Sequence, residues 1–370
     1  MRSTLLAITL GLLGTATALA AQVTAQTEGP GLKAGEDARD KAILQYCHKP
    51  PPPPPNFRGR RPQARRARGL PPAQPVTAIP GVIAAGRHWK IVWHEEGNNA
   101  DGIIADGNDI LVAQQDNSDV VRVSPSGHAT VVYRDTNTGG ALSRNKQGQL
   151  FIVERGYLQS IDELAPDHKV LANEIHGDSL DCLGMGGLND LTAAANGGAY
   201  FTLGNLYYAA PDGTVTRQGT VTGTNGIILS PDEKTLYVTS GGFGRPANLV
   251  AFDVQPDGTL TNQRNFARLP GGGDGSTIDS EGRIYVSSGG GVEVISPDGQ
   301  SLGHIPGPRG AGIISLAFGG PGKHTLYAVA LYQGMGKAHR GLPSDEGRLA
   351  QAGVLASIPM LSQGYADRAK

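Results

Sequence analysis

Six stretches between residues 100 and 330 repeat one plan, and nothing else in this 370-residue chain constrains its fold as strongly. They are ADGIIADGNDILVAQQD (100–116), GGALSRNKQGQLFIVERG (139–156), LNDLTAAANGGAYFTLG (188–204), TNGIILSPDEKTLYVTSG (224–241), GDGSTIDSEGRIYVSSG (273–289) and AGIISLAFGGPGKHTLYAVA (311–330). Each runs from a small or polar entry into a strand, then a turn of Asp, Asn or Gly, then a strand rich in aromatic or β-branched residues. Most are followed by a third strand and a second turn, as in VVRVSPSGHATVV and VEVISPDGQSLGHI. Copies begin about 36–49 residues apart, the length of a four-stranded blade. The spacing predicts an all-β chain, a six-bladed β-propeller over residues 81–360. A β-sandwich does not account for six copies of one plan. WKIVWH (89–94) and GVLASI (353–358) flank the repeats; either could complete a blade and close the ring without an exposed edge.

The repeat separates two sets of turn-forming residues. Asp298-Gly299 stands between two alternating strands, where Asp-Gly is a hairpin turn. Asp274-Gly275 stands before a first strand instead. The matching positions in the other copies are Asp101, Gly140, Asn189, Asn225, and Ala311 or Gly312. First strands line the channel of a propeller, so these residues are expected at one mouth. Singly, each Asp or Asn is as well explained by a turn. Together, two carboxylates and two amides at one phase, Asp101, Asn189, Asn225 and Asp274, form a hard-oxygen set. Such a set suits one divalent cation, Ca²⁺ before Mg²⁺, Mn²⁺ or Zn²⁺.

The flanks have another character. Residues 1–20, MRSTLLAITLGLLGTATALA, have the form of a secretory signal peptide with an A-x-A cleavage site. They are too short in apolar residues to span a bilayer well. An exported protein, periplasmic or extracellular and not transmembrane, is therefore expected. Residues 21–80 read as a disordered Pro/Arg-rich extension: one short amphipathic stretch (35–48), six prolines (Pro50 to Pro55), then FRGRRPQARRARG. This extension is a spacer or a contact for an anionic surface. Residues 1–80 hold 11 Lys/Arg against 4 Asp/Glu; the rest holds 21 against 29, and that acidic balance argues against a nucleic-acid surface. Residues 361–370 are read as a tail. The two cysteines, Cys47 and Cys182, could pair to tie the extension to the domain or remain separate thiols.

Four motifs, LNDLT…YFT, TNGIILSPDEKTLYV, DGSTIDSEGRIYV and LAFGGPGKHTLYAVA, resemble the gluconolactonase, regucalcin and senescence-marker-protein family over about residues 80–335. The resemblance implies a six-bladed propeller with a divalent metal in its channel. It places metal ligands at Asn225 and Asp274, makes Asp274 the general base, and puts Asn189 beside metal and substrate. Asp101 falls where the family has a Glu ligand, one methylene longer. FIVERG resembles a stretch that places Glu154 and Arg155 on the substrate side. The arginine of the family's Arg-x-Asn-Asp motif is replaced by Gly187. The implied activity is hydrolysis of a lactone or related ester, with the cation polarising the carbonyl and Asp274 activating water. The alternatives are a non-catalytic metal-containing binding propeller and an aryl-esterase on the same scaffold. There is no G-x-S-x-G elbow, P-loop, C-x-x-C or H-E-x-x-H to support other chemistry. Oligomeric state is not encoded in any of these features.

Overall fold

A computed structural model describes residues 38–49, 74–94, 99–184, 187–241, 246–333, 351–368 and 370. The expected signal peptide, the arginine cluster and the six prolines lie outside the described residues. Blade 1 comprises the strands Ala100–Asp106, Asp109–Gln114, Asp119–Val123 and Ala129–Arg134. Blade 2 comprises Gly139–Arg144, Leu150–Glu154, Ser160–Ala165 and Lys169–Ala172. Blades 3 and 4 share a six-stranded sheet, because the 15-residue strand Val215–Leu229 serves both. Its first part pairs with Ala199–Ala209, behind Leu191–Ala193, and its last part pairs with Thr235–Ser240. Ala247–Val254 and Leu260–Leu269 complete blade 4. Blade 5 holds Ser276–Ile278, Ile284–Ser288, Gly291–Ile295 and Ser301–Ile305.

Blade 6 closes the ring. Ala311–Gly319, Thr325–Gln333 and Gln351–Pro359 are joined at the outer edge by Lys90–His94, so both flanking strands enter one blade. Each inner strand touches the inner strand of the next blade, and that of blade 6 touches that of blade 1. Packing repeats this order: six apolar clusters fill the six spaces between neighbouring blades. A blade buried on both faces needs apolar residues at successive positions rather than at alternate ones. Leu150–Glu154 and Gly291–Ile295, buried at every residue, show this.

Three segments outside the repeats are built into the domain. Val76, Ile79, Val82 and Ile83 are buried between blades 5 and 6, so the ordered domain begins before residue 80. Cys47 and Cys182 form a disulfide with Cα atoms 5.7 Å apart. It holds the helix Ala38–Leu44 near blade 2, where Ile43 packs on Tyr157. Residues 361–368 and 370, read above as a tail, instead lie across one face of the ring, and Lys370 lines the channel cavity. Leu361 and Ser362 donate their N–H groups to the Val82 carbonyl (2.9 and 3.2 Å), and Gly364 donates to Lys323 (2.9 Å). Among the described residues no helix is long and apolar enough to cross a membrane.

Candidate metal and active site

One device turns the expected residues toward the channel. In blades 1, 2, 4 and 6 the inner strand gains one residue on its partner, between Ala100 and Ile103, Gly139 and Leu142, Thr224 and Ile227, and Ile313 and Ser315. In blade 3 Thr202 faces both Asn189 and Asp190, accepting from Asn189 N–H and donating to the Asp190 carbonyl (both 2.9 Å). In blade 5 Ser287 does the same for Asp274 and Gly275 (both 3.0 Å). These are β-bulges at one phase of all six blades, and a bulge re-aims the side chain it carries. The residues singled out by repeat phase occupy five of them; in blade 6 the bulge carries Ile314 rather than the expected Ala311 or Gly312, because those two positions pair in regular register with Tyr332 and Leu331.

The glycines behind the acidic and amide residues are not turn glycines. A Cβ on Gly102 would lie 2.5 Å from the Ala141 Cα, one on Gly226 2.0 Å from the Asp274 carbonyl oxygen, and one on Gly275 2.7 Å from that of Ile314. Each lets one inner strand approach the next blade's backbone. Gly299, with φ +86°, is by contrast the hairpin glycine expected after Asp298.

Asp101, Asn189, Asp190, Asp274, Arg155 and Lys370 line one cavity of about 10 Å³, room for a single water-sized guest. Asn225 joins through its Oδ1, which accepts from Asn189 Nδ2 at 2.7 Å. Of the four residues expected to bind metal, Asp101, Asn189 and Asp274 share this cavity, and Asn225 stands beside it through Asn189. Burial, then the charges of Asp101 and Asp190, push the Asp274 carboxyl well above the usual carboxylate range, against the pull of Arg155. The donors are all oxygen, and the like charges gathered there are relieved by a cation, so the set fits a hard divalent ion. A second cavity, about 810 Å³, opens beside it, walled largely by the glycine turns 271–273, 289–290 and 310–312. Ile314 lines both.

Arg155 and Glu154 part company. Arg155 Nη1 lies 2.5 Å from Asp101 Oδ2. Its Nη2 donates to the Asn189 carbonyl and, at 3.1 Å, to Asn189 Oδ1. Blade 2 presents Gly140 to the channel because the guanidinium lies over it: a Cβ there would be 2.2 Å from Arg155 Cζ. Glu154 does not line this cavity. It is buried near Asp162, and burial followed by the Asp162 charge raises its carboxyl to about 8. Glu154, Asp162 and His168 bring ligand atoms within 4.8 Å of one another.

Two groups were missed by sequence reasoning. Asp190 accepts the N–H groups of Leu191 (2.8 Å) and Ile227 (2.9 Å), tying blade 3 to blade 4 beside both amide residues. The LNDLT motif contained it, but attention to the phase of the repeat selected its neighbour. Lys370 donates to the Asp190 carboxylate and to the Leu191 carbonyl (2.7 Å). No periodicity marks it.

Comparison with known proteins gives the same architecture. The sequence profile of the SMP-30/gluconolactonase/LRE-like region matches residues 117–331. A gluconolactonase of Zymomonas mobilis is 27% identical over 285 residues, 67% of this chain and 78% of that protein. A pentonolactonase of Haloferax volcanii is 33% identical over 167 residues, 44% of this chain; the matched stretch spans only 56% of that relative's length. The solved structure of a calcium-binding protein, regucalcin, from Agrobacterium tumefaciens superposes with a TM-score of 0.53 at 20% identity. That match covers 72% of this chain and 91% of the other.

Proposed function

Because the chain belongs to the SMP-30/gluconolactonase/LRE-like family, we propose that it is a lactone hydrolase, a carboxylic ester hydrolase dependent on one divalent cation. The observation that carries this reading is the convergence of Asp101, Asn189 and Asp274 on an ion-sized cavity, with Asn225 hydrogen-bonded to Asn189 and a larger cavity beside it. The relatives named gluconolactonase and pentonolactonase support the reaction class. The neighbour named as calcium-binding, together with an oxygen-only donor set, supports Ca²⁺.

A cation held by Asp101, Asn189, Asn225 and Asp274 would supply Lewis-acid polarisation of the ester carbonyl. The chain's own groups do the rest. Asp274, whose carboxyl lines the ion-sized cavity, is the group placed to take the proton of the attacking water. Arg155, fixed by Asp101 and Asn189, presents a permanent positive charge to the oxygens of a polar substrate. It is our candidate for the role left open at Gly187. The glycine-walled space admits a small ring and offers backbone rather than bulk. Export of the protein is part of the proposal: a disulfide between Cys47 and Cys182 belongs to an oxidising compartment.

The test is a panel of aldonolactones, acyl lactones and aryl esters, assayed with and without chelator. Turnover of a lactone that disappears with chelator and returns with Ca²⁺ is expected. Turnover of aryl esters alone moves the protein to the esterase reading. Metal binding without turnover of any member makes it a binding propeller.

A further inference from the structure

On the face opposite the large cavity the channel is covered by the chain's own residues 361–368 and 370. Gly364 fits because a Cβ would lie 2.1 Å from Phe318 Cβ. Lys323 Nζ then gathers three carbonyls, of Tyr365 (2.6 Å), Ala366 (3.2 Å) and Arg368 (3.3 Å), and turns the chain inward. Arg368, 4% exposed, donates to Thr192 Oγ1 (3.1 Å) and to the Leu229 carbonyl, at the seam of blades 3 and 4. The Lys370 side chain, 3% exposed, reaches the Asp190 carboxylate and lines the ion-sized cavity together with Asp101 and Asp274. A lysine is rarely buried so fully without a specific partner, and this one is delivered by a segment anchored at each step.

We propose that the Lys370 ammonium is a built-in cation at the base of the metal site, sharing its carboxylates with the divalent ion and thereby setting that ion's affinity. The inference rests on the cation site of the preceding section. With the carboxyls ionised, as holding a cation requires, Asp101, Asp190 and Asp274 around the cavity contribute three negative charges, and Arg155 and Lys370, the latter paired with Asp190, two positive ones. The difference, 3 − 2, leaves one net negative charge. A divalent ion brings the site to net positive, which favours the oxyanion that develops during ester cleavage. Without Lys370 the empty site carries two net negative charges and the loaded site none. Loss of the ammonium therefore tightens divalent binding and weakens the loaded site's hold on an anion. A merely structural lysine has the opposite signature, since its loss loosens the site and lowers cation affinity.

The measurement is calorimetric titration of the purified full chain with Ca²⁺, for the parent, Lys370→Met and Lys370→Arg. Lys370→Met is expected to bind Ca²⁺ about tenfold more tightly, the effect of one nearby unit charge in a partly screened site. Lys370→Arg keeps the charge and is expected to stay within about threefold of the parent. Because a neutral residue strands a buried carboxylate, the comparison is repeated in an Asp190→Asn background, where Lys370→Met is again expected to tighten binding. Unchanged or weaker Ca²⁺ binding in Lys370→Met, with an intact fold, overturns the proposal. If instead the parent's Ca²⁺ binding is indifferent to Asp274→Asn, the cation-site reading itself falls. The two failures are therefore distinct.

Discussion

Asp274→Asn separates what the site does for the fold from what it does for the reaction, because the two effects have opposite signs. The folded protein raises the Asp274 carboxyl well above 3.8 through burial and the charges of Asp101 and Asp190. A carboxyl with a raised folded pKa binds more protons folded than unfolded, so stability falls as pH climbs from the unfolded toward the folded value. Asparagine removes that loss. In chelator at about pH 8 the variant is therefore expected to melt above the parent, and below about pH 4 the two should converge. Cation reverses the order. At a hundredfold excess over Kd the parent gains about 2.7 kcal/mol, roughly 5 °C in a domain of this size, while the variant gains little. Turnover falls about 10²–10³-fold, the scale of losing one preorganised charged group. Scanning calorimetry with and without Ca²⁺, beside lactone hydrolysis, reads all three. A variant that keeps the Ca²⁺-induced shift and turns over within about threefold of the parent refutes the reasoning.

Other perturbations test the frame around the site. Gly226→Ala puts a Cβ 2.0 Å from the Asp274 carbonyl oxygen and is expected to cost a few kcal/mol and most activity. Gly107→Ala, at φ +62° with open space around it, should cost about 1 kcal/mol and leave kcat unchanged; equal losses of activity in both would refute the close-approach argument. Glu154, raised to about 8 by burial and Asp162, withdraws stability progressively as pH rises from 4.5 through about 8. In chelator Glu154→Gln should thus match the parent near pH 5 and exceed it near pH 9 by a few kcal/mol, at roughly 1.4 kcal/mol per pKa unit. A pH-independent difference in Tm counts against that account. Reduction of the Cys47–Cys182 bridge should release the helix Ala38–Leu44, whose packing on the domain is confined to a small cluster. Trypsin is then expected to gain a cut at Lys41 that the bridged protein resists; a new cut within the blades would show that the bridge holds more than this segment.

The ring and the residues gathered at its cavity were legible because a repeat converts position into direction. Once six copies share a phase, Asp274 and Asp298 fall into different places although the dipeptides are identical. What escaped were features that the repeat does not encode. Gly140 reads as a gap in the pattern, and only the guanidinium of Arg155 lying on it explains the gap. The glycines after Asp101, Asn225 and Asp274 suggest space for a guest, yet the space is filled by the neighbouring blade's backbone. Asp190 acts on the next blade through the Ile227 N–H, a contact 37 residues away in sequence. Residues 361–370 carry no strand pattern, so their path depends on single contacts such as Lys323 with three carbonyls.

The placement of charge explains how such a site can exist before any ion arrives. The three carboxylates come from blades 1, 3 and 5, and the intervening blades present Gly140, Asn225 and Ile314 at the same bulge. Like charges are thus separated by a whole blade, as far as a ring of six permits for three. Each is then held by something other than the cation: Asp101 by Arg155 and Gln115, Asp190 by two backbone N–H groups and Lys370, Asp274 by its bulge. Asp274 is the one of the three with no cationic side chain bonded to it among these contacts, and burial with the charges of Asp101 and Asp190 drives its carboxyl upward. In the proposed reaction the residue that would exchange a proton with water is thus the one the ring leaves least neutralised, beside two better-paired carboxylates.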